Sequence, residues 1–195
     1  MHRREALKNV AFLLGGAISA STMGVLFESF TLPENEKNFV NYSLEDEKIF
    51  AEFADIIVPT TKSSAGAKAA GLGKFIPMMM KDCYPATMQT SFAKGFKDLQ
   101  AKSMKDFGKS YLALTPADRT KLMIDLRAIA LAQKESKSED NKDLAYFFIT
   151  ARDLTLLGYY SSEIGCTKAR EYVLIPGRYD GNAPLKPGQK SWATS

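Results

Sequence analysis

The residue types that most often perform catalysis or bind metals are scarce in this chain. Its 195 residues include one histidine, His2, and two cysteines, Cys83 and Cys166. The chain after His2 therefore has no histidine for a Ser-His-Asp or Cys-His pair, for metal binding or for axial ligation of haem. Two cysteines are too few for an iron–sulfur cluster, and no CxxCH or glycine-rich nucleotide-binding motif occurs. We expect no catalytic, cofactor-binding or metal-binding residue in this chain.

The first thirty residues indicate a different kind of chemistry, recognition by an export machinery. Arg3 and Arg4, followed by Leu7 and Lys8, precede an uncharged apolar stretch over residues 10–27. An arginine pair in this position is typical of the bacterial twin-arginine signal, whose translocase carries proteins that have already folded. Two other positions of the usual motif differ here. The alternatives are an ordinary secretory signal, an uncleaved membrane anchor or a cytoplasmic helix.

Composition divides the chain into four segments. We predict a signal over residues 1–30, a linker over 31–42, a helical domain over 43–172 and an extended arm over 173–195. Without the signal about 165 residues remain, which is enough for one domain with a sizeable core. The formal net charge of the whole chain, +4, is too small to indicate nucleic-acid binding. No later segment is apolar enough to span a membrane.

Apolar residues recur at helical spacing throughout the predicted domain. Ser43 and Asp46 form an approximate capping box, and Thr115 followed by Pro116 is a second helix start. No run of residues alternates as a strand does. We predict an all-α, single-domain bundle of five or six helices, with helices over residues 43–58, 74–84 and 86–107, another from Thr115, and a fifth from 144 to about Gly158.

The predicted arm is rich in proline and glycine, which excludes a long helix, yet it carries aromatic residues. It either packs across its own bundle or grips a partner, where aromatic and arginine side chains are good anchors. The Tyr159 region either ends a helix or joins the partner surface. Our candidates for partner contacts are Tyr159, Tyr160, Tyr172, Pro176, Gly177, Arg178, Tyr179, Asp180 and Trp192.

The two cysteines allow three states. If the chain is exported, Cys83 and Cys166 meet an oxidising compartment, where disulfides persist. An internal disulfide, two free thiols and a bond from one cysteine to a partner all remain open. The neighbouring run of three methionines, 78–80, points to different sides of a helix and is expected to serve core packing.

Several short motifs, in order from Tyr42 to the C-terminus, resemble those of the gluconate 2-dehydrogenase subunit 3 family. The motifs occupy residues 54–61, 67–71, 75–76, 81–85, 114–117, 154–165 and 175–181. Each motif is short, but together, in this order, the motifs span nearly the whole chain. The segment 175–181, Ile-Pro-Gly-Arg-Tyr-Asp-Gly, is the most distinctive of them.

The resemblance implies a non-catalytic small subunit of a periplasmic sugar or aldonate dehydrogenase. The large subunit of such an enzyme resembles the glucose–methanol–choline oxidoreductases and carries FAD, and a cytochrome c subunit with haem often takes the electrons onward. The small subunit supplies the twin-arginine signal for a large subunit that lacks one. The expected location is the periplasm, with membrane association if the signal is not cleaved. The alternative hypothesis is a stand-alone periplasmic helical domain with a binding or structural role.

Overall fold

The computed structural model describes residues 40–136, 140–175, 177 and 180–193. They form five α-helices, a short 3-10 turn at Tyr111–Ala113 and a π-helical turn at Gly165–Ala169. No strand occurs in these described ranges, and the helices pack as one bundle, which confirms the predicted all-α class. The helices are α1 (Leu44–Ile57), α2 (Leu72–Cys83), α3 (Ala86–Phe107), α4 (Pro116–Ser136) and α5 (Lys142–Ser161).

Local hydrogen bonds start two of these helices where the sequence predicts. The backbone N–H of Asp46 donates to Ser43 Oγ over 3.2 Å, and the N–H of Ser43 donates to Asp46 Oδ2 over 2.8 Å. This reciprocal pair is the capping box of α1. At the start of α4, the N–H of Asp118 donates to Thr115 Oγ over 3.2 Å. Both starts therefore satisfy N–H groups that a helix leaves without an internal partner.

Helix α5 is the centre of the bundle and contacts each of the other four helices. It lies closest to α3 at Gly95, where an added Cβ would be 2.1 Å from the carbonyl oxygen of Asp143 and 2.6 Å from Phe147 Cβ. Only glycine therefore lets the two backbones approach this far. The core between α1, α3 and α5 consists largely of phenylalanine rings, among them Phe147.

A charged network ties α4 to α1 and to the loop that follows α1. Arg119 donates from Nε to the carbonyl of Tyr111 over 3.2 Å and from Nη2 to that of Leu112 over 2.8 Å. It also pairs with Glu52 of α1, which pairs in turn with Lys68. Burial by itself would raise the pKa of Glu52. The Lys68 hydrogen bond and the nearby positive charges outweigh burial and hold this pKa below its usual value. The stability from this carboxylate is therefore lost as the pH falls through that lowered pKa.

The structure corrects the predicted end of the fifth helix. The chain remains helical through Gly158 and ends α5 at Ser161. Gly158 instead makes room for a neighbouring ring, because an added Cβ would lie 2.5 Å from the Phe75 side chain of α2. This glycine therefore permits close packing between α2 and α5. Among the described residues, none of the helices has the length and apolar content needed to cross a membrane.

Candidate partner interface

The described part of the chain presents no metal site. Its His, Cys, Asp and Glu side chains form no group of three or more that could hold a metal ion. The most unusual surface lies at the C-terminal end of α5 and on the segments that follow it.

The outer side of α5 carries apolar residues that face solvent, on either side of the exposed ion pair between Arg152 and Asp153. Ile149, Leu156 and Tyr160 are spaced by seven and four residues, so they share one side of the helix. They are 37%, 38% and 38% exposed, and the nearby Leu157 is 55% exposed. This helix therefore has two apolar sides, and only one of them packs into the bundle.

The π-helical turn continues this surface. The guanidinium of Arg170 lies 4.6 Å from the centre of the Tyr160 ring, a cation–π contact that fixes both side chains. Arg170 Nε is buried and has no hydrogen-bond partner within the described chain.

An open cleft of about 310 Å³ lies beside Tyr160. Its walls combine apolar side chains, the hydroxyl groups of the loop after α1 and two lysines. This lining suits an apolar side chain flanked by an acidic or carbonyl group. The lining residues are Ile57, Val58, Pro59, Thr61, Ser63, Ser64, Leu156, Tyr159, Tyr160, Lys168, Ala169 and Lys190.

The C-terminal arm is attached to the π-helical turn near its end. The N–H of Glu171 donates to Ser191 O over 2.9 Å, and the N–H of Ala193 donates to Glu171 O over 2.8 Å. Lys190 Nζ also donates to the carbonyl of Lys168. These bonds hold the last part of the arm against the turn.

The side chains of the arm are nevertheless largely uncovered. Leu174, Ile175 and Leu185 are at least 75% exposed, and Trp192 is 51% exposed. Of the two alternatives for the arm, packing across its own bundle does not account for these side chains. A surface supplied by another molecule would account for them.

The predicted contact residues fall into three groups. Tyr160, Tyr172 and Trp192 are partly exposed, and Gly177 and Asp180 lie on the surface. Tyr159 is only 2% exposed, so most of its side chain lies in the core, although it also lines the cleft beside Tyr160. The remaining candidates lie outside the described residues: Pro176, Arg178 and Tyr179 of the arm, and Arg3, Arg4, Leu7 and Lys8 of the predicted signal.

Both cysteines are free thiols in the structure. Cys83 is exposed as the last residue of α2, and its Sγ lies 4.0 Å from Met79 Sδ on the same helix. Cys166, in the π-helical turn, donates to the carbonyl of Tyr160 over 3.2 Å. The internal disulfide considered above is therefore not formed in this structure. A bond to a partner stays a prediction.

Sequence reasoning missed the outer side of α5 and the hydroxyl groups of the cleft. The first could have been found, because Ile149, Leu156 and Leu157 lie between the core positions of the same helix and widen its apolar arc. Nothing in the sequence indicated the hydroxyl groups of the cleft. Their segment has the composition of an ordinary polar loop, and only packing brings Thr61, Ser63 and Ser64 beside α5.

Replacing Tyr159 with phenylalanine is expected to lower the free energy of unfolding by about 1–2 kcal/mol. The Tyr159 hydroxyl donates to Ala65 O over 2.8 Å and lies 2.7 Å from Ser64 Oγ, so its removal takes a hydrogen-bond partner from the half-buried part of the loop after α1. Urea denaturation followed by circular dichroism measures the change. The matched control is Tyr160→Phe, which keeps the ring above Arg170 and should change stability by less than about 0.5 kcal/mol. Equal effects of the two changes would contradict this role of the hydroxyl.

Comparison with known proteins gives one match. A family model described as gluconate 2-dehydrogenase subunit 3 matches residues 45–177, from the first turn of α1 past the π-helical turn. The match covers more than half of the chain. No curated protein and no solved structure matches.

Proposed function

The chain belongs to the gluconate 2-dehydrogenase subunit 3 family, and from this membership we propose that it is the export and assembly subunit of a periplasmic, FAD-dependent sugar or aldonate dehydrogenase. Membership implies the small subunit of such a dehydrogenase complex. The proposal adds three roles for this chain. It binds the folded large subunit, it supplies the export signal for both, and it stabilises the large subunit after export.

The observation that carries the proposal is the uncovered apolar surface at the C-terminal end. It consists of the outer side of α5, the cleft beside Tyr160 and the apolar side chains of the arm. Soluble proteins that act alone rarely leave such a surface open to water, because covering it is favourable. We call these segments together the C-terminal surface, and we propose that the large subunit covers it.

The division of chemistry between the chains follows from the residue types. In the proposal FAD is bound by the large subunit, which oxidises a hydroxyl of the sugar or aldonate to a carbonyl. Haem, where a cytochrome c subunit is present, is bound by that third chain. The part of this chain that the structure describes offers no metal-binding group, and its cleft is lined by hydroxyl and lysine side chains. Its role is therefore to bind and position.

A stand-alone periplasmic domain is the competing hypothesis, and it predicts a different surface. Such a domain would cover its apolar side chains and would bind its ligand in a deep pocket. The described residues instead leave Leu174 and Ile175 at least 75% exposed, and the cleft beside Tyr160 is open. These features favour a subunit over a domain that acts alone.

The proposal is tested by purifying the tagged full-length chain from its own host and analysing it by native mass spectrometry and flavin absorbance. We expect a stoichiometric flavoprotein partner. Changing Leu174 and Ile175 together to aspartate should lower recovery of that partner by about tenfold or more, because anchors at an interface dominate its affinity. Leu44→Asp is the matched control, since Leu44 is equally exposed at 74% but lies on α1. Recovery of a monomer without flavin would contradict the proposal.

A further inference from the structure

Helix α4 has a second apolar side that no other described element covers. Its inner side is buried in the bundle through Leu122, Leu126 and Ala130. On the outer side Ile124 is 62% exposed and Leu131 is 55% exposed. Ala128 and Ala132, both exposed, lie between and beside them on the same side of the helix. We call this set of four residues the α4 stripe.

The charges at the two ends of the α4 stripe are opposite and symmetrically placed. Lys121 lies seven residues before Ala128, and Glu135 lies seven residues after it. Seven residues are close to two turns of helix, so both charges lie on the same side as Ala128, about 10 Å from it in either direction. Both residues are exposed. The stripe is therefore positive at one end and negative at the other, with apolar residues between these charges and the exposed Asp125, one turn before Ala128, at its edge.

We propose that the α4 stripe binds the α4 stripe of a second copy of this chain, with the two helices antiparallel and a two-fold axis at Ala128. This arrangement places Lys121 of each copy opposite Glu135 of the other, so the interface contains two ion pairs related by the axis. It also places Ile124 opposite Ala132 of the second copy. A contact of this kind is self-complementary, as a two-fold interface requires.

The small residues on the stripe support the same geometry. Ala128 on the axis meets its own equivalent, and alanine lets two helix backbones approach to the short end of the usual 8–10 Å separation. A single helix pair buries less area than most stable dimers, so we expect a dissociation constant in the range of about 1 μM or weaker. A parallel arrangement is disfavoured, because it would place Lys121 beside Lys121 and Glu135 beside Glu135.

This inference uses a different surface from the one assigned to the large subunit. The C-terminal surface lies on α5, the π-helical turn and the arm, whereas the stripe lies on the outer side of α4. If both surfaces are used at once, the complete complex contains two copies of each subunit. The two proposals can therefore fail separately.

The test is a charge-reversal series in the full-length chain purified from its host together with whatever it binds. The number of copies of this chain in each complex is measured by native mass spectrometry and by sedimentation over a range of protein concentrations. Wild type should show two copies of this chain. Lys121→Glu replaces two attractive pairs with two repulsive ones and should weaken the dimer by about tenfold or more.

Two further variants make the test decisive. Lys105→Glu changes the charge by the same amount at an exposed position of α3 instead of α4, so the dimer should be unaffected. The double change Lys121→Glu with Glu135→Lys should restore the wild-type dimer, because each new glutamate then faces a new lysine. All variants should keep wild-type helical content by circular dichroism.

Three results would overturn the inference. The first is a single copy of this chain in wild type at every concentration. The second is a double variant that stays as weak as Lys121→Glu. The third is loss of a different bound protein in Lys121→Glu without rescue in the double variant, which would assign the α4 stripe to that protein.

Discussion

Replacing Phe147 with alanine is expected to lower the free energy of unfolding by about 3–5 kcal/mol, the usual range for removing a fully buried phenylalanine. Phe147 has no exposed surface and stands where α1, α3 and α5 meet. Its loss leaves a cavity that these helices can fill only in part. Because a domain of this size has about 5–15 kcal/mol of stability in total, we expect poor accumulation of the variant in cells.

The rings around Phe147 explain the size of this effect. Four other phenylalanine rings, two from α1 and two from α3, pack against the Phe147 ring. Its ring centre is 4.9 Å from that of Phe92, 5.4 Å from Phe53, 5.8 Å from Phe96 and 6.4 Å from Phe50. Tilted and edge-on aromatic pairs at these distances add to the stabilisation from burial alone. One truncation therefore weakens two helix–helix contacts together.

Urea denaturation followed by far-ultraviolet circular dichroism measures the change. Ile149→Ala is the matched control, because Ile149 lies on the same helix but is 37% exposed. It should cost about 1 kcal/mol or less. If Phe147→Ala cost no more than this control, the aromatic cluster would not be the main source of cohesion in the bundle.

Changing Arg3 and Arg4 together to lysine is expected to keep the whole dehydrogenase complex out of the periplasm. The twin-arginine machinery requires the arginine pair, whereas an ordinary secretory signal requires only positive charge near the N-terminus. Lysine keeps that charge, so the change separates the two kinds of signal. We expect the activity of the large subunit to move from the periplasmic to the cytoplasmic fraction.

The matched control changes two arginines of the helical domain, Arg127 and Arg152, to lysine. Both are exposed on helices, so export should continue as in wild type. The readout is dye-linked dehydrogenase activity and immunodetection of both subunits in each fraction. If the Arg3 and Arg4 variant still delivered the large subunit to the periplasm, the proposed carrier role would be contradicted.

The sequence by itself determined the class of the fold and the limits of several helices. Ser43 with Asp46, Thr115 with Pro116, and Gly108 after α3 act within one turn of the chain, and the structure has a helix start or end at each. Gly108 has the left-handed φ of 65° that favours glycine at this position. The family membership was also accessible, because it depends on the order of motifs along the chain.

Helices α4 and α5 each have two apolar sides, and the tertiary structure decided which of these sides is buried. Tyr159 and Tyr160 are neighbours in sequence, yet the first is buried against the loop after α1 and the second lies on the C-terminal surface. Leu157 and Gly158 likewise received roles that the sequence did not predict, one exposed and the other a close contact with Phe75. The cleft beside Tyr160 depends on segments distant in the chain. The physical reason is range: capping and periodicity act within about four residues, whereas burial depends on which distant segments pack against each side of a helix.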